Sequence, residues 1–346
     1  MLMEENKPLA PLTTFGIGGR ARWFVEAQTE ADVVEAAEWA QNRGVPLFVL
    51  GGGSNVLIAD SGFDGLVLHV ALRGIEESDS GDHMVVFRVE AGENWDAFVE
   101  RAVKENCAGI ECLAGIPGTV GGTPVQNVGA YGQEVAAVIG CVRAFDTREH
   151  RMVEFGAGEC GFGYRRSRFN REDKGRFIVT RVCYQLARAG EPLIQYPDLQ
   201  RMFPDGGRPA LAEVAAAVRE VRHGKGMLLV AGEPDCRSAG SFFRNPIVTE
   251  DQVDRIGFAA GRKPPQFPAG VDGRVKIPAA WLIEQAGFAK GHAMGAAGIS
   301  SRHTLALVNR GGATASEVLA LAAQIRERVE KRFGIALQPE PELIGF

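Results

Sequence analysis

The sequence predicts a mixed fold of helices and strands, organised in two or three domains. Three observations predict it. The N-terminal region has the pattern of a strand–helix–strand unit, and the middle of the chain that of short strands with few helices. The last third carries its own strands and helices and closes with a long amphipathic helix. The 346 residues are enough for several domains, each with an ample core.

The ordered part of the chain is predicted to open at Thr14 and to lead into a strand at Arg22–Glu26. Thr29 can cap the next helix together with Asp32, and Gly44 is placed to end it. Its apolar face is formed by residues at helical spacing, namely Val33, Ala36, Ala37 and Ala40.

A strand over Pro46–Leu50 then runs into a first glycine loop, whose residues are Gly51, Gly52, Gly53, Ser54 and Asn55. The loop lacks the fingerprint of a dinucleotide-binding turn, because Val56 stands where the third glycine belongs. A strand at Val56–Ile58, rather than a helix, is expected to follow. Phosphate binding here would therefore be of another type.

The middle region is rich in strands. Asn94 is expected to cap a helix that Gly109 ends. The predicted strands are Leu66–Val70, Met84–Ala91, Ile139–Asp146, Arg151–Phe155 and Phe177–Gln185.

A second glycine stretch, Ala114–Glu134, contains no apolar run long enough for a buried helix or strand. Glycine at this density costs backbone entropy, and the usual gain is backbone N–H groups that approach a ligand closely. Two such loops suggest one large anionic ligand held from two sides. For either loop alone, a long surface turn explains the pattern equally well. The glycines are Gly115, Gly118, Gly121, Gly122, Gly129 and Gly132, with Gly109 just upstream.

Residues Leu211–Val221 are periodic and rich in alanine, which predicts a helix. A basic cluster follows, and we place the main domain boundary after it; the cluster is Arg219, Arg222, His223 and Lys225. In the final helix, Thr314 and Glu317 form a capping box and Gly334 ends it. Its apolar stripe is Val318, Leu321, Ala322, Ile325 and Val329.

Composition excludes several classes of function. A net charge of −5 argues against nucleic acid or an anionic membrane as the main partner. No apolar run has the length of a membrane span, and the polar N-terminus is unlike a signal peptide. Neither cysteines nor histidines have metal-ligand spacing. The six scattered cysteines are expected to be reduced, mostly buried thiols, which indicates the cytoplasm.

Four polar segments stand out as candidates for chemistry. The Tyr164-Arg165-Arg166 segment offers guanidinium groups suited to a carboxylate or a phosphate, although solvated surface arginines are as common. Ser241 lies between a glycine and two phenylalanines, so its hydroxyl needs a partner, and a proton donor or ligand contact fits better than a nucleophile. Glu340 is flanked by two prolines, which fix the backbone and can orient its carboxylate. An ordinary exposed acidic tail explains the segment equally well. Lys225 either meets phosphates or only offsets the helix dipole.

Taken together, these segments resemble the UDP-N-acetylenolpyruvoylglucosamine reductase family, in its first, tyrosine-lid type. The resemblance rests on G-I-P-G-T-V-G-G-T-P-V-Q-N-V-G-A-Y-G and on G-S-F-F-R-N-P, in the family's order and spacing. It implies an α+β fold, with a vanillyl-alcohol-oxidase-type FAD-binding domain in two lobes and a smaller α/β substrate-binding domain. The implied boundaries are 1–72 and 73–225 for the lobes and 226–346 for the substrate domain, which holds the catalytic glutamate segment.

The resemblance also implies roles for individual residues. Arg165 and Glu340 match the catalytic pair, and Ser241 matches the proton donor. Tyr196, in the loop-like stretch 191–198, matches the lid tyrosine, and Lys225, Asn245 and Gln285 match contacts to substrate phosphates or sugar. The FAD contacts are expected at Gly51, Gly52, Gly53, Ser54, Asn55, Gly115, Gly118, Thr119, Gly121, Gly122, Gly129 and Tyr131. No metal is expected.

The implied reaction is the reduction of UDP-N-acetylglucosamine enolpyruvate to UDP-N-acetylmuramate, a cytoplasmic step of peptidoglycan synthesis. NADPH supplies a hydride that reaches C3 of the enolpyruvyl group by way of FAD, and Ser241 gives a proton to C2. FAD is expected to be bound non-covalently, since neither glycine loop contains a histidine. Two alternatives are an FAD-dependent oxidase of the same superfamily and a catalytically silent nucleotide-sugar-binding protein.

Overall fold

A computed structural model describes residues 1–81, 83–204, 208–270 and 272–346. Within these ranges the helices are α1 (Glu30–Asn42), α2 (Trp95–Lys104), α3 (Gly122–Gln126), α4 (Pro197–Met202), α5 (Leu211–Gly224), α6 (Glu250–Ala260), α7 (Ala279–Gln285) and α8 (Ala315–Phe333).

The strands of the N-terminal half are β1 (Met3–Pro8), β2 (Arg20–Ala27), β3 (Leu47–Leu50), β4 (Val56–Ile58), β5 (Phe63–Val70), β6 (Ile75–Asp79), β7 (Met84–Glu90), β8 (Cys107–Ala108), β9 (Gly129–Ala130), β10 (Gln133–Glu134), β11 (Ile139–Asp146), β12 (Arg151–Gly156) and β13 (Phe177–Arg188). Those of the C-terminal half are β14 (Ile247–Thr249), β15 (Phe267–Pro268), β16 (Arg274–Lys276), β17 (Ala293–Met294), β18 (Ala297–Ile299), β19 (Leu307–Asn309) and β20 (Glu342–Ile344).

The chain divides into two compact units. Unit 1 comprises Met1–Lys7, Ala21–Gly53 and Asp64–His223. Unit 2 comprises Pro8–Arg20, Ser54–Phe63 and Gly224–Phe346. Each unit has its own hydrophobic core, and the cores are centred on Trp95 and Phe98 in unit 1 and on Phe242 and Phe288 in unit 2.

Besides the two-stranded pair β10-β9, unit 1 contains two larger sheets. One has the strand order β1-β2-β5-β3, with β3 and β5 parallel. The other has the order β12-β11-β13-β7-β6 and is antiparallel, with β8 paired to β13. Helix α1 begins with the predicted Thr29–Asp32 capping box and buries the four apolar residues expected to face the core. Helix propensity, cap and stripe agree here, so the local prediction is confirmed.

Unit 2 is built from shorter elements around α8. The predicted capping box of Thr314 and Glu317 is present, and Gly334 ends the helix in the left-handed conformation. Two three-stranded sheets, β14-β16-β15 and β17-β18-β19, accompany it. Strand β4 pairs in parallel with β20, so residues 56–58 join the C-terminal end of the chain.

Several expectations are corrected. Order begins before Thr14, because β1 occupies Met3–Pro8. Helix α2 ends at Lys104 rather than at Gly109, since β8 intervenes. The second glycine stretch contains a short helix, α3, and two short strands.

The expectation of six reduced thiols is wrong for one pair. Cys141 and Cys183 lie opposite each other on antiparallel β11 and β13 and form a disulfide. The pairing depends on strand register across 42 residues, which the scattered positions in the sequence do not reveal. The remaining four cysteines are free and buried.

Candidate active site

The two glycine loops meet within unit 1. A Cβ atom added to Gly51 would lie 2.7 Å from the Thr119 hydroxyl oxygen, and one added to Gly52 would lie 2.6 Å from the Gly118 Cα. Real Cβ atoms do not come this close to neighbouring atoms, so a side chain at either position would push the loops apart. Close packing of the loops supports the expectation that both contact one ligand.

Gly115, near the start of the second stretch, is fixed from both sides. Its N–H donates to Asp96 at 2.6 Å, and its carbonyl accepts from the Arg222 Nε at 3.0 Å. Asp96 in turn accepts two hydrogen bonds of 2.7 Å from Arg219. Gly115 itself has φ +73°, a left-handed conformation that favours glycine. Helices α2 and α5 therefore define the path of this loop.

Arg165 lies against the same stretch. Its guanidinium donates to the Gly129 carbonyl at 2.8 Å and lies over the Tyr164 ring, 5.5 Å from the centroid. The backbone at Arg165 has φ +53°, which is costly for a residue with a side chain. The Asn127 side chain helps to hold this turn by donating to the Gly163 carbonyl at 3.0 Å. The structure thus brings the predicted catalytic arginine to one of the predicted FAD-binding glycines.

Tyr196 and Tyr131 are in contact. Their rings meet edge to face with centroids 5.3 Å apart. Burial raises the pKa of both phenols, that of Tyr131 to about 12, so both are neutral hydrogen-bond donors at physiological pH. The predicted lid residue therefore packs directly on a residue predicted to contact the cofactor.

In unit 2, the segments that carry Ser241 and Glu340 run side by side. The Glu340 N–H donates to the Phe242 carbonyl at 2.9 Å, and the Arg244 N–H donates to the Gln338 carbonyl at 2.9 Å. Phe242 is fully buried, which fixes the backbone between the two polar side chains. Two predicted catalytic residues separated by almost a hundred positions are thus brought onto adjacent backbone segments.

Three further predicted contacts lie in the same unit. The Asn55 amide donates to the Glu340 carbonyl at 3.3 Å, and the Asn55 carbonyl accepts from the Glu342 N–H at 2.9 Å. The Asn245 side chain accepts from the Ala279 N–H at 2.9 Å, at the start of α7. Gln285 ends the same helix, where its carbonyl accepts from Arg332. Ser54 also belongs to unit 2.

Lys225 follows directly after α5 and influences His303. Burial, followed by the charges of Lys225 and Lys290, lowers the pKa of His303 to about 4. The imidazole is therefore neutral at pH 7, and the charges of two lysines both act on it. Such a group of positively charged side chains suits a phosphate.

The predicted site residues fall into two groups, one in each unit. Unit 1 holds Arg165, Tyr196, Tyr131 and the glycines, and unit 2 holds Ser241, Glu340, Asn245, Gln285 and Lys225. Sequence reasoning did not single out Asp96 or the buried Glu111, whose roles depend on distant partners. Arg222 was predicted only as part of a basic cluster, whereas the structure buries it against Gly115.

Comparison with known proteins yields two domain matches. Residues 21–148 match an FAD binding domain, and residues 233–344 match the C-terminal domain of UDP-N-acetylenolpyruvoylglucosamine reductase. The first range contains both glycine loops. The second contains Ser241, Asn245, Gln285 and Glu340. Arg165, Tyr196 and Lys225 lie outside both ranges.

Full-length relatives give the same result. The chain is 45% identical to the UDP-N-acetylenolpyruvoylglucosamine reductase of Thermobifida fusca, covering 99% of this chain and 98% of the relative. It is 46% identical to the reductase of Streptomyces coelicolor, and the match covers 99% of this chain and 90% of the relative. A crystal structure of the enzyme from Thermus caldophilus is similar, with a TM-score of 0.68 and 27% sequence identity. The match covers 99% of this chain and 98% of that structure.

Proposed function

The chain belongs to the UDP-N-acetylenolpyruvoylglucosamine reductase family, and from that premise we propose that it reduces UDP-N-acetylglucosamine enolpyruvate to UDP-N-acetylmuramate in the cytoplasm. Membership makes it an FAD-dependent oxidoreductase of peptidoglycan precursor synthesis, with NADPH as the reductant. The predicted α+β fold with a vanillyl-alcohol-oxidase-type FAD-binding domain is confirmed. The oxidase and the silent binding protein are not favoured.

The residues of unit 1 fit FAD. Glycines at both loops leave backbone groups accessible, and the packing of Gly51 and Gly52 against Gly118 and Thr119 leaves no room for side chains. In our proposal these loops, together with Tyr131, hold the flavin and its pyrophosphate without a covalent bond. The chemistry that FAD would supply there is the transfer of a hydride from NADPH to C3 of the enolpyruvyl group.

Arg165 is proposed to stabilise the charge that develops at C2 and on the substrate carboxylate. Its guanidinium is always protonated and suits an enolate with two oxygen atoms. The left-handed backbone at Arg165 and its bond to Gly129 restrict where the guanidinium lies, which supports this role. Glu340 is proposed as the second member of the catalytic pair.

Ser241 is proposed to donate the proton that C2 receives. A serine hydroxyl is a weak acid in water, so the step requires a site with little water and a strongly basic acceptor. The neighbouring Phe242 and Phe243 are both buried. The single observation that carries the proposal is the adjacency of the Ser241 and Glu340 segments through the 2.9 Å Glu340–Phe242 hydrogen bond.

Phosphate and sugar recognition is assigned to Tyr196, Lys225, Asn245 and Gln285. The charges of Lys225 and Lys290 both act on His303, and two positive charges in one region support a phosphate contact. A cytoplasmic location agrees with the substrate, a nucleotide-sugar precursor. Within the described part of the chain, no helix is both long and apolar enough to cross a membrane.

Ser241→Ala tests the proton-donor role. Flavin reduction by NADPH should be nearly unchanged, because no proton reaches C2 in that step. Flavin reoxidation by the enolpyruvyl substrate should slow by at least ~100-fold. Ser241→Cys, which keeps a proton to give, should lose less. Anaerobic stopped flow measures the two half-reactions separately.

Ser238→Ala is a matched control, since it removes a buried hydroxyl from the same loop, where Ser238 accepts from the Gly240 N–H at 3.2 Å. Ser238→Ala should change the rate of each half-reaction by less than about twofold, because it removes only a neutral hydrogen bond that does not involve the reacting atoms. Equal slowing of both half-reactions by Ser241→Ala would show that Ser241 is not the proton donor.

A further inference from the structure

The segment that carries Tyr196 is attached to the rest of unit 1 by a buried carboxylate. Glu111 is fully buried, and its Oε1 accepts from the Leu193 N–H at 3.0 Å and from the Gln133 amide at 2.7 Å. Its Oε2 accepts from the Gly109 N–H at 2.8 Å. One side chain thus joins three segments that are far apart in sequence.

The residue after Glu111 binds the carbonyl of Leu193. The Cys112 thiol donates to the Leu193 carbonyl at 3.1 Å, and the Cys112 N–H donates to the Gln133 side-chain oxygen at 2.8 Å. Burial raises the pKa of the Cys112 thiol well above its usual range, so the proton needed for this bond is present at neutral pH. Both peptide groups of Leu193 are therefore fixed. We call Glu111, Cys112 and Gln133 the lid anchor.

The lid anchor also borders the glycine stretch. Glu111 and Cys112 precede the stretch, and Gln133 lies near its end, two residues after Tyr131. Tyr131 packs on Tyr196, three residues beyond Leu193. A Cβ added to Gly132 would lie 3.5 Å from the Gln195 Cβ, which is ordinary contact. The lid segment is thus held at Leu193 and again at Tyr196.

A buried carboxylate costs free energy unless its oxygens are hydrogen-bonded, and apolar side chains would fill the same space at lower cost. The carboxylate of Glu111 instead accepts N–H groups from a loop, a strand residue and the lid segment. Because such bonds are directional, they fix relative positions more tightly than packing does.

We propose that Glu111, with Cys112 and Gln133, is a positioning residue that sets where Tyr196 lies and thereby the affinity for the UDP-sugar. The proposal rests on the proposed role of Tyr196 as a substrate contact. Glu111 does not touch the substrate; it acts through Leu193 and the three residues that follow.

Glu111→Gln keeps the size of the side chain and replaces one acceptor oxygen by an amide N–H₂. That group then faces a backbone N–H and cannot accept from it. The KM for the UDP-sugar should rise about tenfold, on the scale of a lost hydrogen bond to a charged group. The rate of flavin reduction by NADPH should change less than about twofold, because the lid residue is on the substrate side.

Asp146→Asn is the matched control. Asp146 is also a buried carboxylate of unit 1 with several donors, namely the backbone N–H groups of Arg148 and Glu149 and the Arg176 guanidinium. Among the described residues, Asp146 has no hydrogen bond to the lid segment. Its replacement should lower thermal stability and leave the KM for the UDP-sugar unchanged, which separates general destabilisation from lid positioning.

The deciding experiment is a double-mutant cycle in the flavin-loaded enzyme. Tyr196→Ala should raise the KM for the UDP-sugar, and adding Glu111→Gln to it should produce no further rise. If Glu111→Gln raised the KM for the UDP-sugar by the same factor with and without Tyr196→Ala, Glu111 would not act through Tyr196. Hydrogen exchange across residues 191–198 should be faster in Glu111→Gln than in Asp146→Asn, and unchanged exchange would overturn the anchor.

The two proposals fail in different ways. If Tyr196→Ala leaves the KM unchanged, then the role of Tyr196 is wrong, and with it the route from Glu111 to the substrate. If Tyr196→Ala acts as expected and Glu111→Gln does nothing, only the anchor is wrong. Should Glu111→Gln fail to fold, Cys112→Ala and Cys112→Ser replace it: Ala should raise the KM about threefold and Ser, which retains a donor, should restore it. If Cys112→Ala and Cys112→Ser raised the KM for the UDP-sugar equally, the proposal would be contradicted.

Discussion

Individual residues around the glycine stretch adopt backbone conformations that their side chains disfavour. Asn127, Tyr131 and Arg165 have φ values of 42°, 50° and 53°. Each such position costs about 1–3 kcal/mol and persists only where its surroundings impose it. Here the surroundings include the Asn127–Gly163 and Arg165–Gly129 hydrogen bonds. The sequence motifs predict Arg165 and Tyr131 as site residues, whereas the backbone strain at these residues is visible only in the structure.

His303 provides a prediction of pH dependence at this scale. Its pKa is lowered from the ordinary 6.5 to about 4 by burial and then by Lys225 and Lys290. As pH falls below 6.5, the unfolded chain takes up a proton that the folded chain excludes. Stability should therefore fall between pH 6.5 and pH 4, by about 2 kcal/mol between pH 7 and pH 5 from this group.

Urea denaturation of the wild type and His303→Gln across this pH range measures the effect. Glutamine does not titrate, so the variant should lose less stability than the wild type as pH falls. An identical dependence of stability on pH in both proteins would show that the pKa of His303 is the same in the folded and unfolded states. The histidine NMR titration should place the midpoint near pH 4 in the native protein, in agreement with the pKa lowered by burial and by the two lysines.

At the scale of elements, local patterns predicted structure well. The capping boxes of α1 and α8, their buried stripes and the strands β11, β12 and β13 follow from adjacent residues, so the sequence contained the necessary information. The local sequence patterns did not reveal which distant segments pair with one another. The β4–β20 pairing, the Cys141–Cys183 disulfide and the bonds from Glu111 to Leu193 each depend on contacts across tens to hundreds of residues, which periodicity does not encode.

The support of the second glycine stretch by α2 and α5 leads to a prediction. Asp96 on α2 accepts from the Gly115 N–H and pairs with Arg219 on α5. Asp96→Asn should weaken FAD binding about tenfold, since a charged hydrogen bond to the loop is lost. Flavin fluorescence titration of the apoprotein measures the Kd. Glu100→Gln is the matched control, because Glu100 also pairs with Arg219 but has no hydrogen bond to Gly115 among the described contacts. An equal loss of FAD affinity in both variants would mean that the ion pair with Arg219, rather than the hydrogen bond to Gly115, supports FAD binding.

At the scale of the whole molecule, each compact unit has its own core and its own share of the predicted site. Unit 1 brings together the glycine loops, Arg165 and the lid segment, while unit 2 brings together Ser241, Glu340 and Asn55. Family membership accounts for the presence of the second glycine stretch and the G-S-F-F segment in one chain. In our proposal the first serves the flavin and the second serves the substrate. The domain limits at residues 72 and 225 remain predictions.

The attachment of the flavin is a property of the whole molecule that can be checked directly. A covalent bond to the flavin needs a nucleophilic side chain, frequently a histidine, and neither glycine loop contains a histidine. His69 lies 3.2 Å from Glu26 and His150 lies 3.5 Å from Glu38, both away from the loops in sequence. Cys112, two residues before the second stretch, is buried, and its raised pKa keeps it as an unreactive thiol. Acid precipitation of the purified protein should therefore leave the yellow colour in the supernatant, with an absorbance spectrum of free FAD. Colour that stays in the pellet after washing would show a covalent bond and would require a nucleophile outside these residues.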